Sequence, residues 1–163
     1  PQTRRLHGYN GSGRSPASGS LQELRRELGA QARVMPGFGA HAVTVPGAVE
    51  AWYALHARFG RLPMPALLEP AIGYARDGFP VATVAAKLWL DNASHVDRTQ
   101  PQFAAFLATF LPDGRAPLAG ERFRNPALAE SLRAIATGGP DAFYRGALGA
   151  RIVATLRGGG SRM

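Results

Sequence analysis

The sequence has no cysteine, which excludes a disulfide scaffold, thiolate zinc sites and a cysteine nucleophile. Lysine is almost missing too: Lys87 is the single one, so arginine carries the basic balance. No run of about 18 uncharged apolar residues occurs, and a membrane-spanning helix is excluded on that ground. Acidic residues number 11 against 19 basic ones, for a formal charge of +8. Apolar residues are not scarce. At 163 residues and 45% apolar the chain can bury a core, so a wholly disordered polymer is excluded and one domain is the default expectation. The 20 Gly and 13 Pro predict frequent chain breaks. The chain opens on Pro1 and reads as a segment of a longer protein.

Residues 1–20 hold Gly8, Gly11, Gly13, Pro16 and Gly19, a loop composition, with an edge strand expected to end near Tyr9. Ser20 is placed to cap a short helix over 21–28, with Glu23 at the reciprocal capping position and Gly29 as the stop. His41-Ala-Val-Thr-Val45, closed by Pro46-Gly47, is the best strand candidate. Beyond Gly47 the pattern turns helical. Val49, Trp52, Leu55 and Phe59 share one helical face, and Gly60 ends the run. A helix opened by Pro65 must kink or restart at Pro70 and continues to Gly78. Further helices are expected over 82–95, which holds Val84, Leu88 and Trp89, and from Pro101 through Phe110. Pro112-Asp113-Gly114 is a turn. Asn125-Pro126 opens a helix that lasts until Gly138-Gly139, and Asp141 opens the last, along Tyr144, Leu148, Ile152 and Leu156. The organisation expected is a loop and edge strand over 1–20, a helical region over 21–160 and a tail over 161–163. The fold class is mostly α with one or two strands near the N-terminus.

Few residue constellations carry chemistry. His7, His41, His56 and His95 share no metal-ligand spacing, and neither a metal nor a cofactor is expected. Gly37-Phe38-Gly39-Ala40-His41-Ala42 imitates a dinucleotide fingerprint, but a strand pattern follows it where a helix is required. Gly13-Arg14-Ser15-Pro16-Ala17 imitates a nucleophile elbow, and Pro16 directly after Ser15 fits that strained turn poorly. The Pro1 amine would need a β-rich site around a true N-terminus. Glu23, Glu50 and Asp77 read as solvated or capping residues. Thr44, flanked by valines, reads as a buried strand residue, and Trp52, Trp89 and Phe143 as core between helices. The arginines leave one alternative: Arg4-Arg5, Arg25-Arg26 and Arg122 with Arg124 would suit a basic helical nucleic-acid-binding module, marked by salt-sensitive retention of DNA or RNA.

From Ala42 onward the chain resembles the γ-glutamyltransferase family of N-terminal-nucleophile hydrolases. The resemblance lies in Ala42-Val-Thr-Val-Pro-Gly-Ala-Val-Glu-Ala-Trp52, Leu55-His-Ala-Arg-Phe-Gly-Arg-Leu-Pro63, Leu67-Leu-Glu-Pro-Ala-Ile72 and Asp77-Gly-Phe-Pro-Val81. Asn125-Pro-Ala-Leu-Ala129, Leu132-Arg-Ala-Ile-Ala136 and Asp141-Ala-Phe-Tyr-Arg-Gly146 follow in the family's order. The resemblance implies a large-subunit segment of an αββα sandwich whose precursor cuts itself in two. It implies a partner within the same precursor, a small subunit led by the nucleophilic Thr, and a γ-glutamyl or related acyl-amide substrate. The Thr amine serves as base and an oxyanion hole stabilises the tetrahedral intermediate. None of those parts is in this chain, so the segment alone is expected to be inactive and to expose an apolar patch where the partner belongs.

One large-subunit element falls inside the segment. Transpeptidases of this family carry an Arg four residues before a Pro-Ala pair, where the guanidinium meets the α-carboxylate of the γ-glutamyl group. Matching Pro16-Ala17 to that pair puts Ser12 in the Arg position, and the nearest arginine is Arg14. That departure resembles the acylase-like branch of the family. Arg14 is the candidate substrate-binding residue, with bracing of the loop as its other reading.

Overall fold

The computed structural model describes residues 4–29, 31–37, 39–161 and 163. Pro1 and Phe38, named above, lie outside them. The elements among the described residues are α1 (Leu21–Leu28), α2 (Ala48–Phe59), α3 (Met64–Asp77), β1 (Phe79–Pro80), α4 (Thr83–Ser94), α5 (Ala104–Phe110), β2 (Arg122–Phe123), α6 (Pro126–Tyr144) and α7 (Ala147–Gly158). The mostly helical expectation holds. The full sandwich is not contained here: these helices and one two-stranded antiparallel sheet are what the described residues form. The chain divides into two compact units, Met64–Ala136 and Pro1–Pro63 with Thr137–Met163.

In the unit Met64–Ala136, α3 lays Ile72 and Ala75 against Ala129, Leu132 and Ala136 of α6, with Leu68 at the margin. Burying an Ile or Leu side chain contributes about 1.5–3 kcal/mol, which is ample to hold two short helices together. α3 continues through Pro70 as one helix rather than restarting there. Packing of Ile72 and Ala75 on the following turn offsets the one lost backbone bond. Gly78, at φ 88°, turns the chain out of α3, and a Cβ there would sit 2.9 Å from the Phe123 carbonyl. The sheet follows at once, with Phe79 opposite Phe123 and Pro80 opposite Arg122. Phe123 gathers an aromatic cluster, its ring 4.6 Å from Trp89 and 6.2 Å from Phe79. The Trp89 indole N–H is satisfied by the Phe110 carbonyl at 3.1 Å, so this tryptophan takes the packing role expected of it. The predicted turn at Asp113-Gly114 is present, with the Gly114 N–H donating to the Leu111 carbonyl at 2.8 Å. The Arg115 guanidinium forks onto Glu121, both bonds at 2.8 Å, and holds that carboxyl down to about 2.

In the other unit α1 forms where the capping residues place it. Ser20 accepts from the Glu23 N–H at 3.2 Å and donates to the Glu23 carboxylate at 2.9 Å. The strands expected here are not present among the described residues. Residues 4–10 have no regular structure, and Ala40–Ala42 is a single 3₁₀ turn in place of the 41–45 strand. The Ala42 N–H is spent locally on the Gly39 carbonyl, and the segment after it pairs with a loop rather than with another strand. Thr44, expected to be buried in that strand, is exposed and donates to the Ser12 carbonyl at 3.2 Å. The last helix is also shorter than expected. α6 kinks at Gly139 (φ 69°, ψ −164°), ends at Tyr144, and α7 restarts after Arg145-Gly146. The first turn of α7 lies close on the end of α6: a Cβ on Gly149 would lie 2.5 Å from the Phe143 carbonyl and 2.8 Å from that of Tyr144. On α2, Val49 is buried, but Trp52, Leu55 and Phe59 are 41%, 40% and 48% exposed, so the predicted core face is an open apolar one in this chain.

Candidate functional site

The sequence around residues 9–17 has no helix or strand signal, and its position depends on what it leans against. It leans on 44–47. The Val45 N–H donates to the Arg14 carbonyl at 2.9 Å, alongside the Thr44 hydroxyl on Ser12. Two glycines make that approach possible. Gly13 adopts φ 82°, and a Cβ on it would fall 1.8 Å from the Val45 carbonyl oxygen. A Cβ on Gly47 would meet the Gly11 carbonyl at 2.4 Å. Backbone thus lies on backbone with no room for side chains between.

Because position 47 must be Gly, the N-terminus of α2 has no side-chain cap of its own. The Glu50 N–H, one of the orphan donors of the first turn, bonds instead to the Tyr144 hydroxyl at 3.1 Å. The same hydroxyl donates to the Pro46 carbonyl at 2.6 Å. A residue nearly a hundred positions away does what a Ser or Asp at the N-cap ordinarily does.

These pieces enclose an open cavity of about 850 Å³, lined by the 9–15 loop and Ala17, by 45–47 and Glu50, and by Pro140, Asp141, Tyr144 and Arg145 at and just past the end of α6. The end of α6 brings an exposed pair, Asp141 with Arg145 one turn later. The Ser12 hydroxyl is turned back on the Asn10 side-chain oxygen at 2.6 Å. Arg14 is different. Its carbonyl braces the loop, while the residue is exposed, is among those that line the cavity, and has a side chain with no hydrogen-bond or ion-pair partner among the described residues. The two readings of Arg14 are therefore divided between its two ends, backbone bracing and side chain free.

The histidines and Asp77 are not among the residues that line the cavity, whereas Ser15 is. His56 shares a hydrogen bond with the Leu62 carbonyl at 2.7 Å, His95 with the Asp91 carbonyl at 2.7 Å, and His41 lies 3.3 Å from Glu27. No group of three or more His, Asp or Glu residues able to hold a metal occurs among the described residues. Asp77 is paired with Arg76, whose guanidinium keeps its carboxyl below the usual range. Ser15 sits ahead of a turn in which the Gly19 N–H donates to the Pro16 carbonyl, and no helix of an elbow begins there. What the sequence reading missed is Tyr144, taken there as a helix-face residue, and its bond to the backbone N–H of Glu50, a residue read as solvated or capping. The signal available for Tyr144 was negative: a helix opening on Pro46-Gly47 with no capping side chain requires a cap from elsewhere.

Comparison with known proteins settles the lineage. A family model described as gamma-glutamyltranspeptidase matches residues 1–163. The chain belongs to the gamma-glutamyltranspeptidase family. Its family relatives include the glutathione hydrolase-like YwrD proenzyme of Bacillus subtilis (strain 168), 38% identical over 165 residues that cover 99% of this chain and 29% of that protein. They also include the acylase ACY 1 proenzyme of Pseudomonas sp. (strain SE83), 45% identical over 111 residues, 68% of this chain and 19% of the relative. Among solved structures, the cephalosporin acylase of Bacillus halodurans superposes with a TM-score of 0.89 at 38% identity, covering 98% of this chain and 30% of that one. The chain thus spans under a third of the length of each relative. These gamma-glutamyltranspeptidase-family proteins give no support to the nucleic-acid-binding alternative, and the recognition made from the motif blocks stands.

Proposed function

We propose that this chain is the large-subunit segment of a γ-glutamyltransferase-like amidohydrolase, and that its cavity is one wall of the acyl pocket. The reaction is acyl transfer from an amide to water or an amine, through a Thr nucleophile on a small subunit of the same precursor. Arg14 takes a carboxylate on the acyl group of the substrate. The observation that carries this reading is that Arg14, whose side chain has no partner among the described residues, belongs to the lining of an open cavity of about 850 Å³. A free cation held on a braced backbone is suited to a two-pronged, charge-assisted bond to a carboxylate. The shift from position 12 to position 14 moves that cation along the loop, which fits the acylase-named relatives as readily as the glutathione hydrolase-named ones. The segment alone lacks the nucleophile and has no amide-cleaving activity. The test is to express the complete precursor, follow self-cleavage on a denaturing gel, and assay release of aniline chromophore from γ-glutamyl and glutaryl anilides. Turnover by the matured enzyme, and none by the segment alone, is expected. A matured enzyme that cleaves neither anilide, or turnover by the segment alone, would refute the proposal.

A further inference from the structure

Resting on that reading of Arg14, we infer that Tyr144 is a positioning residue for substrate recognition, acting on Arg14 through the backbone of residues 45–47. The path is short and each link is on the structure. The Tyr144 hydroxyl donates to the Pro46 carbonyl at 2.6 Å and accepts from the Glu50 N–H at 3.1 Å. It thereby clamps both ends of the Pro46–Glu50 segment on one atom. Val45, the next residue back, donates its N–H to the Arg14 carbonyl at 2.9 Å. Gly13 packs so closely on Val45 that not even a methyl group fits between them. The loop carrying Arg14 therefore cannot shift independently of 45–47, and 45–47 is anchored by one phenol. Thr44 supplies a second, smaller tie to the same loop through the Ser12 carbonyl at 3.2 Å. Tyr144 itself lines the cavity, but its hydroxyl is fully occupied by Pro46 and Glu50. Its influence on the substrate passes through the loop rather than through a bond of its own.

A guanidinium that is off position by a fraction of an ångström loses the two-pronged geometry first, so the cost appears in binding of the carboxylate. The experiment uses the matured full-length enzyme and whichever of γ-glutamyl or glutaryl anilide it cleaves, beside the same compound with its free acyl carboxylate converted to a carboxamide. Arg14→Gln should lower the preference for the carboxylate by about tenfold or more. Tyr144→Phe, which keeps the ring and removes the hydroxyl, should lower it about threefold to tenfold, carried in KM rather than in kcat. In the double variant the loss should equal that of Arg14→Gln alone, because residues acting as one unit are not additive. Thr44→Val should move the preference the same way by a smaller factor, and decides the matter if Tyr144→Phe does not mature. An effect of Tyr144→Phe that adds in full to that of Arg14→Gln, or an unaltered preference in both Tyr144→Phe and Thr44→Val, overturns the positioning role while leaving Arg14 in place. An unaltered preference in Arg14→Gln overturns the reading of Arg14 and this inference with it.

Discussion

Two glycines in the same unit separate a conformational cost from a steric one. Gly13 and Gly29 both adopt left-handed φ, 82° and 95°, so an alanine at either is strained. Around Gly29 a Cβ meets nothing within 4 Å, whereas at Gly13 it would stand 1.8 Å from the Val45 carbonyl oxygen. Gly29→Ala should therefore carry the backbone term alone, about 1–3 kcal/mol. Gly13→Ala carries that and more. Its methyl displaces 44–47 from the loop, which forfeits the Val45 bond to Arg14 and the Thr44 bond to Ser12. At about 1 kcal/mol net for each hydrogen bond, the excess over Gly29→Ala is about 2 kcal/mol. In a chain of this size that is an additional loss of roughly 4–8 °C in Tm. The assay is urea and thermal unfolding of the two variants side by side, with amide exchange of 44–47 as the local reading. Exchange should rise in Gly13→Ala and not in Gly29→Ala. Equal destabilisation by the two variants, or protected amides at 44–47 in Gly13→Ala, would refute the claim that loop and segment meet backbone to backbone.

Three further outcomes are expected. Tyr144→Phe should destabilise its unit by about 1–2 kcal/mol and expose the Glu50 amide to exchange, and Gly47→Ser should fail to restore the cap because its Cβ would meet the Gly11 carbonyl at 2.4 Å. Glu121 is depressed in the folded chain from an ordinary 4.5 to about 2 by Arg115 and the Leu118 N–H, so its contribution is complete above about pH 4.5 and is lost as pH falls toward 2. Glu121→Gln should flatten that acid limb of the stability profile, read as urea midpoint against pH. Ser20→Ala should cost about 1 kcal/mol, read as loss of amide protection confined to 21–24, since α1 buries none of its residues and depends on its cap.

What could be read in the sequence was whatever is decided within a few residues. Ser20 with Glu23 and Gly29 fixed α1 at both ends, and Asn125 before Pro126 opened α6, its side-chain oxygen accepting from the Leu128 N–H at 3.0 Å. The strand expected over 41–45 failed because β-branched residues mark an extended, half-covered segment without saying what pairs with it. Here Val45 pairs with a loop at Arg14, and no ladder forms. The strands found among the described residues, Phe79–Pro80 and Arg122–Phe123, are too short for any alternation to show. Arg14 became a candidate only through the family resemblance, as the arginine nearest to the position four residues before Pro16-Ala17. Tyr144 was not, since its two bonds span 94 and 98 residues and no local pattern encodes them.

The exposed stripe on α2 follows from the same distinction. Spacing of Val49, Trp52, Leu55 and Phe59 records a face selected to be covered, and it carries no information about which polypeptide covers it. In this chain Val49 is covered and the other three are 41%, 40% and 48% exposed. Under the proposed function that face is covered by the remainder of the precursor; the chain spans 30% of the cephalosporin acylase chain that it matches. The cavity differs from the stripe in this respect: its closest ties, from Tyr144 to Pro46 and from Val45 to Arg14, lie within one unit of this chain. These internal hydrogen bonds hold the backbone of Arg14 within this chain. A loop whose backbone is already fixed leaves only the Arg14 side chain to be immobilised when it meets a carboxylate.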